Sequence, residues 1–141
     1  MSTLTSERID QWLQSFITAE GAQSGTVHVN DNGMLKLASA VNIPEKVRQI
    51  VATVPNGKGM AGLALQNGTP IHTCNLKEDT SGSVKPGAKA VDAQAAVAIP
   101  VRDENGSICA VVGIAFREGR EWTDEELQRL TSAASGLVRN E

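Results

Sequence analysis

Nothing in this chain gathers its positive charge. Its 13 Lys and Arg are outnumbered by 16 Asp and Glu across 141 residues. They scatter from Lys36, Lys46 and Arg48 through Lys58 and Lys77 to Arg102 and Arg117. A phosphate backbone is held by clustered Lys and Arg, so nucleic acid is not an expected partner. No apolar run reaches the ~18 residues of a membrane helix, and no membrane contact is expected. The start, "MSTLTSERIDQW", lacks the basic-then-apolar order of a secretion signal. Cysteine is scarce too: Cys74 and Cys109 make no disulfide scaffold, which points to a reducing cytoplasm. There is no internal repeat and no low-complexity tract. What is left is one expected domain over residues 1–141, with 40% apolar and 21% charged residues. A chain of that length buries roughly two-thirds of its unfolded surface.

Periodicity supplies the elements. Ile9, Trp12, Leu13, Phe16 and Ile17 recur at helical spacing after a capping Thr3 or Thr5. Their arc covers about 140° of the helix, wider than the ~100° that one core contact needs. The excess predicts a homodimer through the terminal helices, with Trp12 at the arc's edge. "TVHVNDNGMLKLASAV" predicts a hairpin turning at Asn32-Gly33, with Val27/Val29 and Leu35/Leu37 alternating against polar neighbours. Pro44 opens a second helix whose stripe is Val47, Ile50, Val51 and Val54, closed by "PNG".

Further on, Met60 to Gln66 predicts two helical turns ended by Asn67-Gly68, and "TPIHTC" a short strand with Pro70 at its first residue or on a sheet edge. Residues 77–93 read as a polar loop containing a short helix. "QAAVAIPV" and "SICAVVGIAF" predict a second hairpin, turning at Asn105-Gly106. Its second strand is apolar on both faces and therefore central. Thr123 and Glu126 form a capping box for the last helix, Trp122 staples onto Leu127, and Leu127, Leu130, Ala134, Leu137 and Val138 give it one apolar face. The expected fold is α+β: a mostly antiparallel sheet, terminal helices on one face, and the 77–93 segment over the other.

"PNGKGMAGLALQNGTPIHTCNLKED" contains Gly57, Gly59 and Gly62 in the G-x-G-x-x-G pattern, with Glu78 and Asp79 downstream. A dinucleotide loop of that kind is delivered by a strand into a helix within a parallel βαβ unit. Here the entering element reads as the 47–54 helix and the exiting helix is too short for a crossover. The glycines are therefore read as serving a tight turn and close packing of a short helix.

Three stretches resemble a known family. "PNGKGMAGLALQNGTPIHTCNL" resembles the central signature of GAF domains, "AVAIPVRDENGSICAVVGIAF" their paired strands with Pro100 and Gly113, and "WTDEELQRLTSAASGL" their closing helix. The resemblance runs from about Ser6 to Val138. It implies a GAF-like antiparallel sheet with a short-helix and loop cover over a pocket. Such domains bind cyclic nucleotides, bilins, haem, amino acids or oxoacids, or only each other, so no particular cofactor is implied. The free methionine-(R)-sulfoxide reductases are single domains of this kind. Where the resemblance implies their cysteines this chain has Ala61 and Val91, and where it implies their carboxylates it has Ala96 and Gly113. The cyclic-nucleotide signature is represented only by Asn75, Lys77 and Asp79, and the pocket loop has no bilin cysteine.

The small residues Ala95, Ala96, Ala98, Ala110, Gly113 and Ala115 leave space on the second hairpin. A pocket is expected between that hairpin, the Ile71–Cys74 strand and the 77–93 cover, unless Val84, Ala88 and Val91 fold inward and fill it. His72, Cys74, Asn75, Asp79, Lys89 and Asp92 are its expected ligand-binding residues, for a small polar or zwitterionic guest. Cys74 reads otherwise as a small strand residue. A metal held by His72, Cys74 and His28 would still want a fourth ligand. No catalytic residue is expected. The expected function is a non-catalytic small-molecule-sensing or dimerising module in signalling or regulation, passing its signal to a separate partner. The alternatives are a thiol-dependent reductase with rearranged cysteines and a structural dimeric adaptor.

Overall fold

The computed structural model describes residues 6–73, 95–117 and 122–138. Helix α1 (Ser6–Glu20) leads into the hairpin of β1 (Ser24–Asp31) and β2 (Met34–Val41). Helix α2 (Glu45–Ile50), strand β3 (Thr53–Pro55), helix α3 (Gly59–Asn67) and strand β4 (Ile71–Thr73) follow. The second hairpin is β5 (Ala95–Arg102) with β6 (Ile108–Phe116), and α4 (Asp124–Ala134) closes the chain through a 3-10 turn, Ser135–Leu137. The six strands form one sheet in the order β3-β2-β1-β6-β5-β4. All neighbours run antiparallel, and helices lie on both faces, so the α+β expectation holds.

Both hairpin turns are made where the sequence signals them. Asn32 and Gly33 take φ of 53° and 91°, the paired positive values of a type I′ turn. In the other turn Gly106 sits at φ 83°, and Asp103 N–H donates to the Ser107 carbonyl at 2.8 Å. Strand β6 is central, between β1 and β5, as its two apolar faces require.

One face of the sheet carries α1 and α4. Ile9, Leu13, Phe16 and Ile17 of α1 and Leu130, Ala134 and Leu137 of the C-terminal segment bury against Val27, Val97, Ile99, Val101, Val112 and Ile114. The wide arc of α1 is thus largely consumed within the chain. Trp12 stays half-buried, stacked on Phe16 at 4.8 Å between ring centroids. Arg129 of α4 clamps the Glu20 carboxylate with both guanidinium nitrogens, at 2.8 and 3.0 Å. Glu20 ends α1 where the helix dipole disfavours an anion, and Arg129 offsets that. Thr123 Oγ1 accepts from Glu126 N–H at 3.1 Å and caps α4. Trp122 packs edge-on against Phe116 at 5.7 Å.

The expected second helix is shorter than its stripe implied. It ends at Ile50, whose side chain is 47% exposed, and Val54 lies on β3 paired with Leu35. The four- and three-residue spacing of Val47, Val51 and Val54 reads as one helix face. Only Val47 buries from within the helix, and Val54 buries as a strand residue, where its β-branch suits the pleated edge.

The glycine loop is consequently entered from a strand, against the expectation. It is still no dinucleotide loop. β3 and β4 stand at opposite edges of the sheet, so α3 is not the crossover of a parallel pair. Gly57 and Gly59 hold φ of 84° and 64° in the turn. A Cβ on Gly62 would stand 2.5 Å from the Pro55 carbonyl oxygen. Gly57 N–H meanwhile donates to the Gly62 carbonyl at 2.9 Å. Close packing of the first turn of α3 on the loop explains the pattern. At its other end Gly68 adopts φ 71° and donates to the Ala64 carbonyl, the expected glycine stop.

Candidate functional site

The second face of the sheet carries α2 and α3, and under them lies a cavity of about 150 Å³. Its floor is the sheet: Ser24, Thr26 and His28 from β1, Ala96 and Ala98 from β5, Gly113 and Ala115 from β6. Its roof is Ile43, Val47, Val51, Val54, Met60 and Ala61, with exposed Lys58 at the rim. Register explains why these residues meet. Ser24 pairs with Ala115, Thr26 with Gly113 and His28 with Val111, while Ala96 pairs with Ala115 and Ala98 with Gly113. Directly opposed residues share a face, so a polar row on β1 lies beside a run of small residues on β6 and β5. The small residues expected to leave space do leave it. Ala95 and Ala110 belong to the other face, packed among the core residues beneath α1 and α4.

His28 is the chemically distinctive group of the wall. It is 3% exposed, and its Nε2 lies 2.8 Å from the Val51 carbonyl oxygen. A carbonyl can only accept, so Nε2 carries the proton and Nδ1 presents a lone pair. Nδ1 is buried and has no hydrogen-bond partner among the described residues. Burial pushes the imidazole pKa below its usual value, against the opposing pull of the Val51 carbonyl. The ring is therefore neutral at pH 7. Ser24 Oγ, on the same strand face, is a second buried polar atom without a partner among the described residues. Buried donors and acceptors are nearly always satisfied, so two orphans on one strand beside a cavity are unusual.

Of the expected ligand-binding residues, Cys74, Asn75, Asp79, Lys89 and Asp92 lie outside the described residues, as do the 77–93 cover and Val91. So do the capping candidates Thr3 and Thr5. His72 is exposed and pairs with Val97, which puts it on the α1/α4 face, 6.2 Å from the Trp122 ring. It lines a shallow groove with Asp124, Leu127 and Gln128, not the cavity. His28 and His72 thus occupy opposite faces and cannot share a metal ion. Among the described residues no group of three His, Cys, Asp or Glu is placed to hold one. No described helix is long and apolar enough to cross a membrane.

Sequence reasoning missed Ser24, Thr26, His28 and the α2 roof. The alternation on β1 was visible, but its polar set was given no place in the expected pocket. The signal available was its kind: Ser, Thr and His, without a charged residue, are compatible with a buried face. Cys109 is half-buried and packs on the α1/α4 side, with its Sγ 3.6 Å from the Val101 carbonyl. Burial and nearby Asp103 push its thiol pKa up, away from the nucleophilic form. Ala61, Ala96 and Gly113, which stand where the reductases' cysteine and carboxylates were implied, all line the cavity. That wall has no acid, no base beyond His28 and no thiol among its described residues.

The family model for the GAF domain matches residues 5–139. No curated protein matches the chain. Among solved structures, the chain is similar to the free methionine-R-sulfoxide reductase of Neisseria meningitidis in complex with its substrate. The TM-score is 0.75 at 14% identity, over 96% of this chain and 78% of that one. It is similar as well to a domain assigned to a two-component sensor histidine kinase protein of Sinorhizobium meliloti 1021. There the TM-score is 0.73 at 16% identity, over 99% and 96% of the two chains. The GAF domain of a phosphoenolpyruvate-protein phosphotransferase from Coxiella burnetii gives 0.70 at 15% identity, over 96% and 94%. At these identities the likeness is one of fold.

Proposed function

The chain belongs to the GAF domain family, and from that premise we propose that it is a non-catalytic module that binds a small molecule in the cavity between its sheet and α2–α3. The observation that carries this is the His28 ring, buried in the cavity wall with Nδ1 unpartnered. An unsatisfied buried acceptor costs about 1–3 kcal/mol, and a guest that donates to it recovers that. Signalling or regulatory use is supported by the family, whose members include the sensor-kinase and phosphotransferase domains above.

A thermal-shift screen of amino acids, oxoacids, nucleotides, purines and neutral aromatics tests the reading. A guest at 100 times its Kd adds ~2.7 kcal/mol, several degrees for a domain of this size. Binding abolished by Ala98→Leu, with the fold retained, supports the cavity. A shift that survives Ala98→Leu overturns it.

A homodimer through the terminal helices is part of the proposal. Its support is Trp12, which the core leaves half-buried on α1 although the rest of the arc is covered. Native mass spectrometry reads subunit number and retained guest together. The expected location, the cytoplasm, is part of the same proposal and rests on a count of two cysteines, which make no disulfide scaffold.

A further inference from the structure

Taking the cavity as the binding site, we propose that its guest is uncharged, mainly apolar and about one ring in size, and that it donates an N–H or O–H to His28 Nδ1. The inference deepens the binding reading by naming a ligand class. It rests on the chemistry of the described wall.

Size comes first. An apolar cavity of about 150 Å³ accommodates benzene, and the cavity here has that volume. Polarity comes next. The described lining is built from Val, Ile, Met, Ala and Gly, with Ser24, Thr26 and His28 as its polar side chains and Lys58 as its one permanently charged side chain. Lys58 is exposed at the rim and does not accompany a guest inward. An ionised group moved into such a wall without a partner loses far more solvation than one hydrogen bond returns. A carboxylate beside His28 would in addition face the Nδ1 lone pair, acceptor against acceptor.

The direction of the hydrogen bond is set by Val51. Its carbonyl takes the Nε2 proton at 2.8 Å, and Nδ1 then has only a lone pair to offer. The guest must be the donor. A water would serve Nδ1 poorly, because an ordered buried water wants about three polar partners. On the sheet His28 is flanked by Leu37 and Val111. Ser24, the other unpartnered group of the described wall, is four residues along β1, about 13 Å away at ~3.3 Å per residue. A one-ring guest at His28 does not reach it.

The test compares phenol, toluene and benzoate at pH 7.5 by calorimetry, with the 15N resonances of the His28 imidazole followed in the wild-type protein. Phenol and toluene have nearly the same shape, and only phenol carries the donor. The expected result is phenol bound about tenfold tighter than toluene, the factor of one satisfied buried acceptor. Benzoate is expected not to bind, and the Nδ1 resonance to move toward its protonated position with phenol alone. Toluene binding as tightly as phenol, or an Nδ1 resonance that phenol does not move, overturns the donor assignment and leaves cavity binding standing. Benzoate binding tightest overturns the uncharged class. Failure of all three, with a hit from the wider screen blocked by Ala98→Leu, overturns the ligand class alone. Failure of all three and of the screen overturns both readings.

Discussion

The carbonyl of Val51 accepts a hydrogen bond from His28 Nε2 across 2.8 Å, and so a residue in the α2–β3 connection decides which ring nitrogen carries the proton. The contact ties the roof to the floor: Val51 follows α2, and His28 lies in mid-sheet. Movement of α2 and the hydrogen-bonding state of His28 are mechanically linked.

Burial of the same ring makes stability depend on pH. The folded-state pKa of His28 lies below its ordinary 6.5, because burial penalises the cation. Between the two values the unfolded chain binds a proton that the folded chain does not, so stability rises with pH through that window. His28 costs nothing above the unfolded value, and its penalty grows as pH falls below about 6.5 and levels off below the folded pKa. The slope is at most about 1.4 kcal/mol per pH unit for one proton. Urea unfolding of wild type and His28→Gln at pH 7.5 and 5.5 reads it. Wild type should lose more than the variant, and equal losses would show that His28 takes no part.

Gly62→Ala should destabilise by about 1–3 kcal/mol, the range for forced overpacking. The added Cβ meets the Pro55 carbonyl at 2.5 Å, a backbone atom that cannot swing away. Gly33→Ala meets no atom within 4 Å, and its cost arises only from φ 91°. Urea midpoints of the two variants should differ in that order.

Ala96→Val should separate folding from binding. Ala96 is half-buried and lines the cavity, so the larger side chain fills space rather than displacing neighbours. Cavity filling commonly adds about 0.5–2 kcal/mol. The expected outcome is an unchanged or raised Tm with weakened guest binding, read by thermal shift and calorimetry. A lowered Tm with binding intact would mean that the side chain points into packed core.

The protein should not reduce free methionine sulfoxide. Cys109 is held on the face away from the cavity, with its thiol pKa raised, and Ala61 lies in the cavity wall. Assay with a thioredoxin or dithiothreitol system is expected to give no turnover. Turnover that Cys74→Ser abolishes would reverse the conclusion.

Sedimentation at micromolar concentration tests the dimer. Wild type is expected as a dimer and Trp12→Glu as a monomer, with circular dichroism verifying that the variant folds. Wild type sedimenting as a monomer ends the proposal.

The elements most legible in the sequence were those signalled locally and redundantly. Asn32-Gly33, Gly68 and the Thr123 cap each dictate backbone geometry within a few residues, and each was read correctly. The 47–54 stripe failed because Val at i, i+4 and i+7 fits a helix face. It fits equally well a short helix followed by an edge strand, and only pairing with Leu35 decides between them. The cavity was half legible. Ala96, Ala98, Gly113 and Ala115 announce missing volume, but the wall that uses it comes from β1, more than 60 residues away in sequence. Strand alternation gives two faces without saying which is wet. His28 was noticed for its nitrogen, and what makes it matter, burial beside an unpartnered Nδ1, is a tertiary property.

Proline marks both outer strands of the sheet. β3 has three residues and ends in Pro55, and β4 starts directly after Pro70. An outer strand invites another chain to add to it, and short length and proline, which has no N–H to donate, are two ways of refusing. The long strands with the most apolar residues, β5 and β6, are kept inside, with β6 in the middle. This arrangement disfavours growth into open-ended β-assemblies, even though β6 is a nine-residue segment, ICAVVGIAF, with no charge and no proline.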